Sequence, residues 1–213
     1  MPGKHGQPAI MVARVDASLQ NCSMSDLTRI MADIEAVEAH SESRRQWNPA
    51  RVGEIDIRIA ADGTWYHEGR PFQRDSLVRL FASVLRREAD EYFLVTPAEK
   101  LRIEVEDAPF VAGLVERIDD GGQPAIVLTT NIGSRIVVDA DHPLRVEVDD
   151  DSGEPRPYVK MHDGLEALIV RGAFFELASF AEETQRDGAR FLSVSSRGVQ
   201  FELGRCDDPE IDD

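Results

Sequence analysis

Leu27, Ile30, Met31, Ile34 and Val37 recur at helical spacing through SMSDLTRIMADIEAVEAH, with polar and acidic residues between them. That period predicts an amphipathic helix within 23–46, opened by a Ser23/Asp26 capping box and packed on its own domain. Trp47-Asn48-Pro49 ends it, because a residue preceding proline is driven towards extended backbone. The period then changes to two. Ile55, Ile57 and Ile59 alternate with Asp56 and Arg58, Asp62-Gly63 offers the positive-φ positions of a tight turn, and Trp65 to Glu68 runs back. Two registers are open here. If Asp62-Gly63 alone forms the loop, Tyr66 faces Ile59, and Trp65 and His67 share the opposite face with Arg58; if Ala61 joins the loop and Gly63 is the bulge, Trp65 and His67 face the core.

Beyond Pro71 the helical period returns in SLVRLFASVLRRE, through Leu77, Leu80, Phe81, Val84 and Leu85. YFLVTPAEKLRIEVED reads as a hairpin turning at Pro97, with Leu101, Ile103 and Val105 buried on one side of the return strand. AIVLTTNIGSRIVVD is a further hairpin turning at Asn131-Ile132-Gly133. LRVEVDD, a DDSGEP turn, PYVKM, a helix in GAFFELASFAEE and a hairpin in FLSVSSRGVQFEL complete the pattern. Phe93–Val105 and Phe191–Leu203 align without a gap at an offset of 98 residues. The expected fold is therefore α+β, with two similar β-β-α-β-β subdomains whose antiparallel hairpins pack on helices, preceded by the N-terminal amphipathic helix. The expected boundaries are a disordered tail over 1–22, the helix over 23–46, subdomains over 47–118 and 119–205, and an acidic tail over 206–213.

Charge narrows the partners. Forty acidic residues against 24 Lys and Arg leave a net charge of −16, which repels a phosphate backbone and argues against nucleic acid. The apolar run Ala9–Val12 is too short for a signal or membrane segment, so a cytoplasmic protein without a membrane partner is expected. Cys22 and Cys206 are expected as free thiols.

No G-x-S-x-G, P-loop or G-x-G-x-x-G is present, and His5, His40, His67, His142 and His162 lack metal-binding spacing, so neither a metal nor a cofactor is expected. Asp149, Asp150, Asp151 and Gly153 read as a solvated acidic turn rather than a calcium loop. Three polar clusters at strand ends remain as candidate ligand contacts. The first holds Trp65, Tyr66, His67, Glu68 and Arg74; the second Thr96, Glu99, Lys100 and Asp107; the third His142 and Arg145, with Asn131 from the neighbouring hairpin. In an anionic molecule, Arg74, Lys100 and Arg145 gathered by the fold would make a spot suited to a carboxylate or phosphate.

IDIRIAADGTWYHEGRPFQRDSLVRLFASVLRRE, YFLVTPAEKLRIEVEDAPFV, TTNIGSRIVVDADHPLRVEVD and PYVKMHDGLEALIVRGAFFEL resemble the bacterial DUF1285 family over about residues 47–180. The resemblance implies an α+β protein of two related subdomains, with no established catalytic activity and a role in signal transduction or regulation. Two function classes follow. A non-catalytic module would bind a small anionic ligand or a protein segment in the cleft between the repeats. Alternatively, a hydrolase would use Asp62, His67, Glu68 or Asp141 with His142 as an acid–base pair, or a bound metal.

Overall fold

The alternation of Ile55, Ile57 and Ile59 builds β1 (Val52–Ile59), in which all three isoleucines are buried. In a computed structural model describing residues 24–35 and 47–206, β1 is followed by β2 (Trp65–His67) and β3 (Arg70–Pro71). Next come α2 (Asp75–Ala82), β4 (Leu85–Glu88), β5 (Glu91–Val95) and β6 (Lys100–Val105); α1 (Met24–Glu35) precedes the group. The expected tail over 1–22, the acidic tail beyond Cys206, the Ser23 cap, Val37, His5, His40 and Cys22 lie outside the described residues. Cys206 is a free thiol.

The strands form a sheet of order β3-β2-β1-β6-β5-β4, two antiparallel meanders joined at the centre by the parallel pair β1 and β6. Helix α1 buries Leu27, Ile30 and Ile34 while Thr28 is exposed, so one stripe of α1 joins the core. Helix α2 ends earlier than the apolar period predicts. Ser83 caps it, donating its hydroxyl to Leu80 O, and Leu85–Glu88 turns out as an edge strand paired with β5. Pairing along the open edge of β5 outweighs the high helix propensity of Leu85, Arg86, Arg87 and Glu88.

The second sheet comprises β7 (Phe110–Asp119), β8 (Pro124–Thr130), β9 (Arg135–Val137), β10 (Leu144–Val148), β11 (Pro155–Lys160) and β12 (Glu166–Ile169). Its order, β10-β11-β12-β7-β8-β9, reproduces the first: its first and sixth strands, β7 and β12, pair in parallel at the centre. The change of sheet falls between Val105 and Phe110, ahead of the 118/119 boundary expected from the sequence. Helix α3 (Arg171–Ser179) and a meander of β13 (Glu182–Arg186), β14 (Ala189–Ser196) and β15 (Val199–Arg205) follow. Ser196 ties this meander to the second sheet, accepting from Ile126 N at 2.9 Å and donating to Val138 O at 2.6 Å.

The halves thus share a strand order, but the common unit is a six-stranded sheet rather than β-β-α-β-β. The gapless match of Phe93–Val105 with Phe191–Leu203 does not mark it. In β5–β6, Leu94 faces Leu101 across the loop 96–99, whereas in β14–β15 Val194 faces Phe201 around the two-residue turn Arg197-Gly198. The place of β5–β6 in the second sheet is taken by β11–β12. Similar turn chemistry, without a common register, produced the alignment. Buried side chains from both sheets form one contiguous apolar cluster. Among the described residues no helix is long and apolar enough to cross a membrane.

Candidate functional site

The register at Asp62-Gly63 is the wider-loop alternative. Ile57 faces His67 and Ile59 faces Trp65, while Ala60 N donates to Thr64 O at 2.9 Å and Gly63 takes φ +81°. Asp62 Oδ1 accepts from Thr64 N, and that contact holds its carboxyl below the usual value. Trp65 is consequently 2% exposed and His67 8%, both against Phe72, whose ring centroid lies 6.4 Å from each. This corrects the expectation of Trp65 and His67 as open ligand contacts: placing isoleucines opposite them draws both rings into the core. Neither Trp65 Nε1 nor His67 Nε2 has a hydrogen-bond partner among the described residues.

This hairpin meets the second half of the chain. Asn131, in the β8–β9 turn, donates Nδ2 to Gly63 O at 3.2 Å and accepts at Oδ1 from Val111 N at 3.3 Å. One amide therefore stitches the first sheet's turn to the central strand of the second. Beside the stitch lies a cleft of about 170 Å³ lined by Gly63, Thr64, Trp65, Phe72, Asp75, Val78, Arg79, Asn131 and Ile132. Asp75, Val78 and Arg79 reach it together because positions i, i+3 and i+4 share one face of α2. Arg79 is exposed and has no ion-pair partner among the described residues. Arg74 stands at the N-cap of α2 immediately before Asp75.

The remaining expected contacts are otherwise engaged. Tyr66 stacks under the Arg58 guanidinium at 4.4 Å, and Glu68 is an exposed turn residue at φ 49°. Thr96 and Glu99 are each 1% exposed, a correction to their expected role as ligand contacts. Thr96 Oγ1 organises the β5–β6 turn by accepting from Ala98 N and Glu99 N. The Glu99 carboxylate pairs with Arg29 of α1 at 2.8 Å and Arg51 at 3.4 Å, tying α1 to the first sheet. Lys100 donates to Glu88 at 2.6 Å over the ring of Phe93.

Arg145 makes a two-pronged contact with Glu166, at 2.7 and 2.8 Å, over the ring of Tyr158. Glu166 also faces Arg87 of β4 at 3.7 Å, and the Arg145 hydrogen bonds hold its carboxyl below the usual range. Asp107, in the link between the sheets, accepts from Arg156 at 2.6 Å and Tyr158 OH at 2.8 Å. Lys100 and Arg145 are thus each engaged by a carboxylate, Glu88 and Glu166, and among the described residues neither shares an ion-pair partner with Arg74.

His142 Nδ1 contacts Asp139 at 3.1 Å rather than Asp141, and that aspartate also caps the turn through the amides of Asp141 and His142. Among the described residues, no group of three or more His, Cys, Asp and Glu is arranged to hold a metal. A larger hollow, about 430 Å³, opens where β1 and β6 lose register between Glu54 and Arg58. Its carboxylates outnumber its single cation, Arg102, which Glu54 and Glu91 already occupy.

Sequence patterning reached Trp65 and Asn131 of the cleft, and the stretch Asp62 to Arg74 took in Thr64 and Phe72, but Asp75, Val78, Arg79 and Ile132 were missed. The i, i+4 pair Asp75 and Arg79 beside the apolar stripe of α2 was the available signal.

No curated protein matches the chain. A DUF1285 family protein from Silicibacter pomeroyi DSS-3 is 41% identical with a TM-score of 0.73, over 83% of this chain and 94% of its own. A second, from Shewanella baltica OS155, is 29% identical with a TM-score of 0.47, over 58% of this chain and 90% of its own. Residues 44–108 match "Domain of unknown function (DUF1285), N-terminal domain", and 109–203 match "Protein of unknown function (DUF1285), C-terminal domain". With both domains matched in order across most of its length, the chain belongs to the DUF1285 family.

Proposed function

We propose that the protein is a non-catalytic binding or regulatory module that recognises a carboxylate-bearing ligand, small or carried on a protein segment, in the cleft between its two sheets. The observation that carries this reading is a cleft walled by the Trp65 side chain and bordered by Arg79, whose guanidinium has no ion-pair partner among the described residues. An exposed guanidinium of this kind offers paired N–H donors to a carboxylate. At about 170 Å³ the cleft suits a group of few atoms. Asn131 supports a regulatory role, because a ligand beside the amide joining Gly63 to Val111 acts on the contact between the halves. The two-cysteine composition supports a reducing, cytoplasmic setting.

The test is a thermal-shift screen of small carboxylates and phosphates against the wild type, Trp65→Phe and Arg79→Ala. A ligand at a hundred times its Kd adds about 2.7 kcal/mol, a rise of roughly 5–10 °C for a chain of this size. Both variants should lose that rise. A rise that persists in both puts the ligand elsewhere and overturns the reading; no rise from any compound removes its small-ligand form and leaves the protein segment.

A further inference from the structure

The C-terminal half carries a groove that shares no residue with the cleft. Between the start of β11, the end of β12 and α3 runs a groove of about 350 Å³, lined by Pro155, Pro157, Leu168, Val170, Phe174 and Phe175 among others. Phe175 is 61% exposed, and Val148, which faces Pro155 across the β10–β11 pair, is 66% exposed. Large apolar side chains displayed together beside a groove are a feature of interaction sites rather than of ordinary surface.

The surroundings select the occupant. Asp150, Asp151 and Glu154 of the β10–β11 turn are exposed, as is Glu176 next to Phe175 in α3. The cations present are engaged: Arg156 by Asp107 and Asp149, and Arg171 by Glu154 at 2.9 Å, with its guanidinium 5.5 Å from the Phe175 ring. With Glu154 and Arg171 neutralising one another, the rim owes its negative charge to the exposed Asp150, Asp151 and Glu176, in a protein of net charge −16. A second copy of the chain, or an acidic lipid surface, would bring like charge against that rim. A cationic segment with apolar anchors brings the opposite charge and a side chain for the groove.

We propose that this groove is the docking site for a lysine- or arginine-rich protein segment that inserts an apolar residue between Pro155, Pro157 and Phe175. Its apolar anchor supplies burial, and the turn carboxylates supply orientation and speed of encounter.

Fluorescence anisotropy with two labelled peptides of equal length and charge, one an amphipathic Lys/Leu sequence and one Lys/Ser, tests the proposal on the full chain at low ionic strength. The variants are Phe175→Asp and the combined Asp150→Asn, Asp151→Asn, Glu154→Gln. Phe175 is mostly exposed, so its replacement should leave the melting temperature unchanged; if it does not, the charge variant and the peptide pair still decide. The Lys/Leu peptide should bind the wild type at least about tenfold more tightly than Lys/Ser, and each variant should weaken it by about that factor or more. Added salt should weaken binding further. Equal binding of the two peptides, indifference to both variants, or no Lys/Leu binding overturns the proposal. So does a dimer in sedimentation velocity that Phe175→Asp dissolves, since a second copy would then be the occupant.

Discussion

Replacing Gly63 by alanine probes the joint on which the cleft depends. Gly63 sits at φ +81°, where an L-residue pays about 1–2 kcal/mol. A β-carbon there would lie 2.9 Å from Asn131 Nδ2, and 3.1 and 3.3 Å from the two Val111 methyl carbons. Neither neighbour gives way freely: Val111 lies on the central strand β7, and Asn131 is held at both ends of its amide. Overpacking of this kind costs about 1–3 kcal/mol, and loss of the Asn131 to Gly63 hydrogen bond about another 0.5–1.5 kcal/mol. These overlap, so the expected destabilisation is about 2–4 kcal/mol. Gly133 supplies the control. It has φ +84° in the β8–β9 turn, but nothing lies within 4 Å of its would-be β-carbon. Gly133→Ala should therefore show the backbone cost alone, about 1–2 kcal/mol. Urea unfolding followed by circular dichroism and by tryptophan fluorescence measures both variants. Equal destabilisation by the two substitutions would refute the close contact between the halves at Gly63, and with it a cleft built from both.

Glu99→Gln should destabilise by about 1–3 kcal/mol in urea unfolding, towards the lower end because Arg29 and Arg51, 40% and 69% exposed, remain hydrated when the carboxylate is lost; a change under about 0.5 kcal/mol would deny the anchor between α1 and the first sheet. Glu166, held below its ordinary 4.5 by Arg145, contributes stability that is fully present above that unfolded-state value and is lost as pH falls through the lower folded value. Urea midpoints taken between about pH 7 and pH 3 should fall on the acid side, and Glu166→Gln should flatten that fall; an unchanged acid profile in the variant would exclude the Arg145 pair as its source.

The β1–β2 hairpin shows how much of this protein was legible one residue at a time. Alternation in Ile55–Ile59 and the Asp62-Gly63 turn located both strands, yet two registers satisfied the local pattern. What chose between them was the burial of Trp65 and His67 against Phe72, a residue outside either strand. SLVRLFASVLRRE shows the same limit at another level. Its apolar period predicted one helix to Glu88, but pairing with β5 converted the second half into β4. Strands β7 and β12, the parallel centre of the second sheet, were not read at all, because the period of FVAGLVERID breaks at the irregularity between Ala112 and Leu114 and the four residues EALI are too few to display one.

The same distinction governs the site. Residue type alone nominated Arg74, Lys100 and Arg145 as a cationic spot, whereas each cation's neighbours depend on which strands lie side by side. The chain's own pattern determined the mixed α+β class, the hairpins and their turns, the anionic surface and the family, since all of these rest on contacts or counts local in sequence. Only the tertiary structure decided the pairing of β1 with β6 and β7 with β12, the cleft shared by Trp65, Arg79 and Asn131, and which charges stay free. Each of those depends on the meeting of residues tens of positions apart, and the free energy that selects such meetings belongs to the assembled core rather than to any short segment.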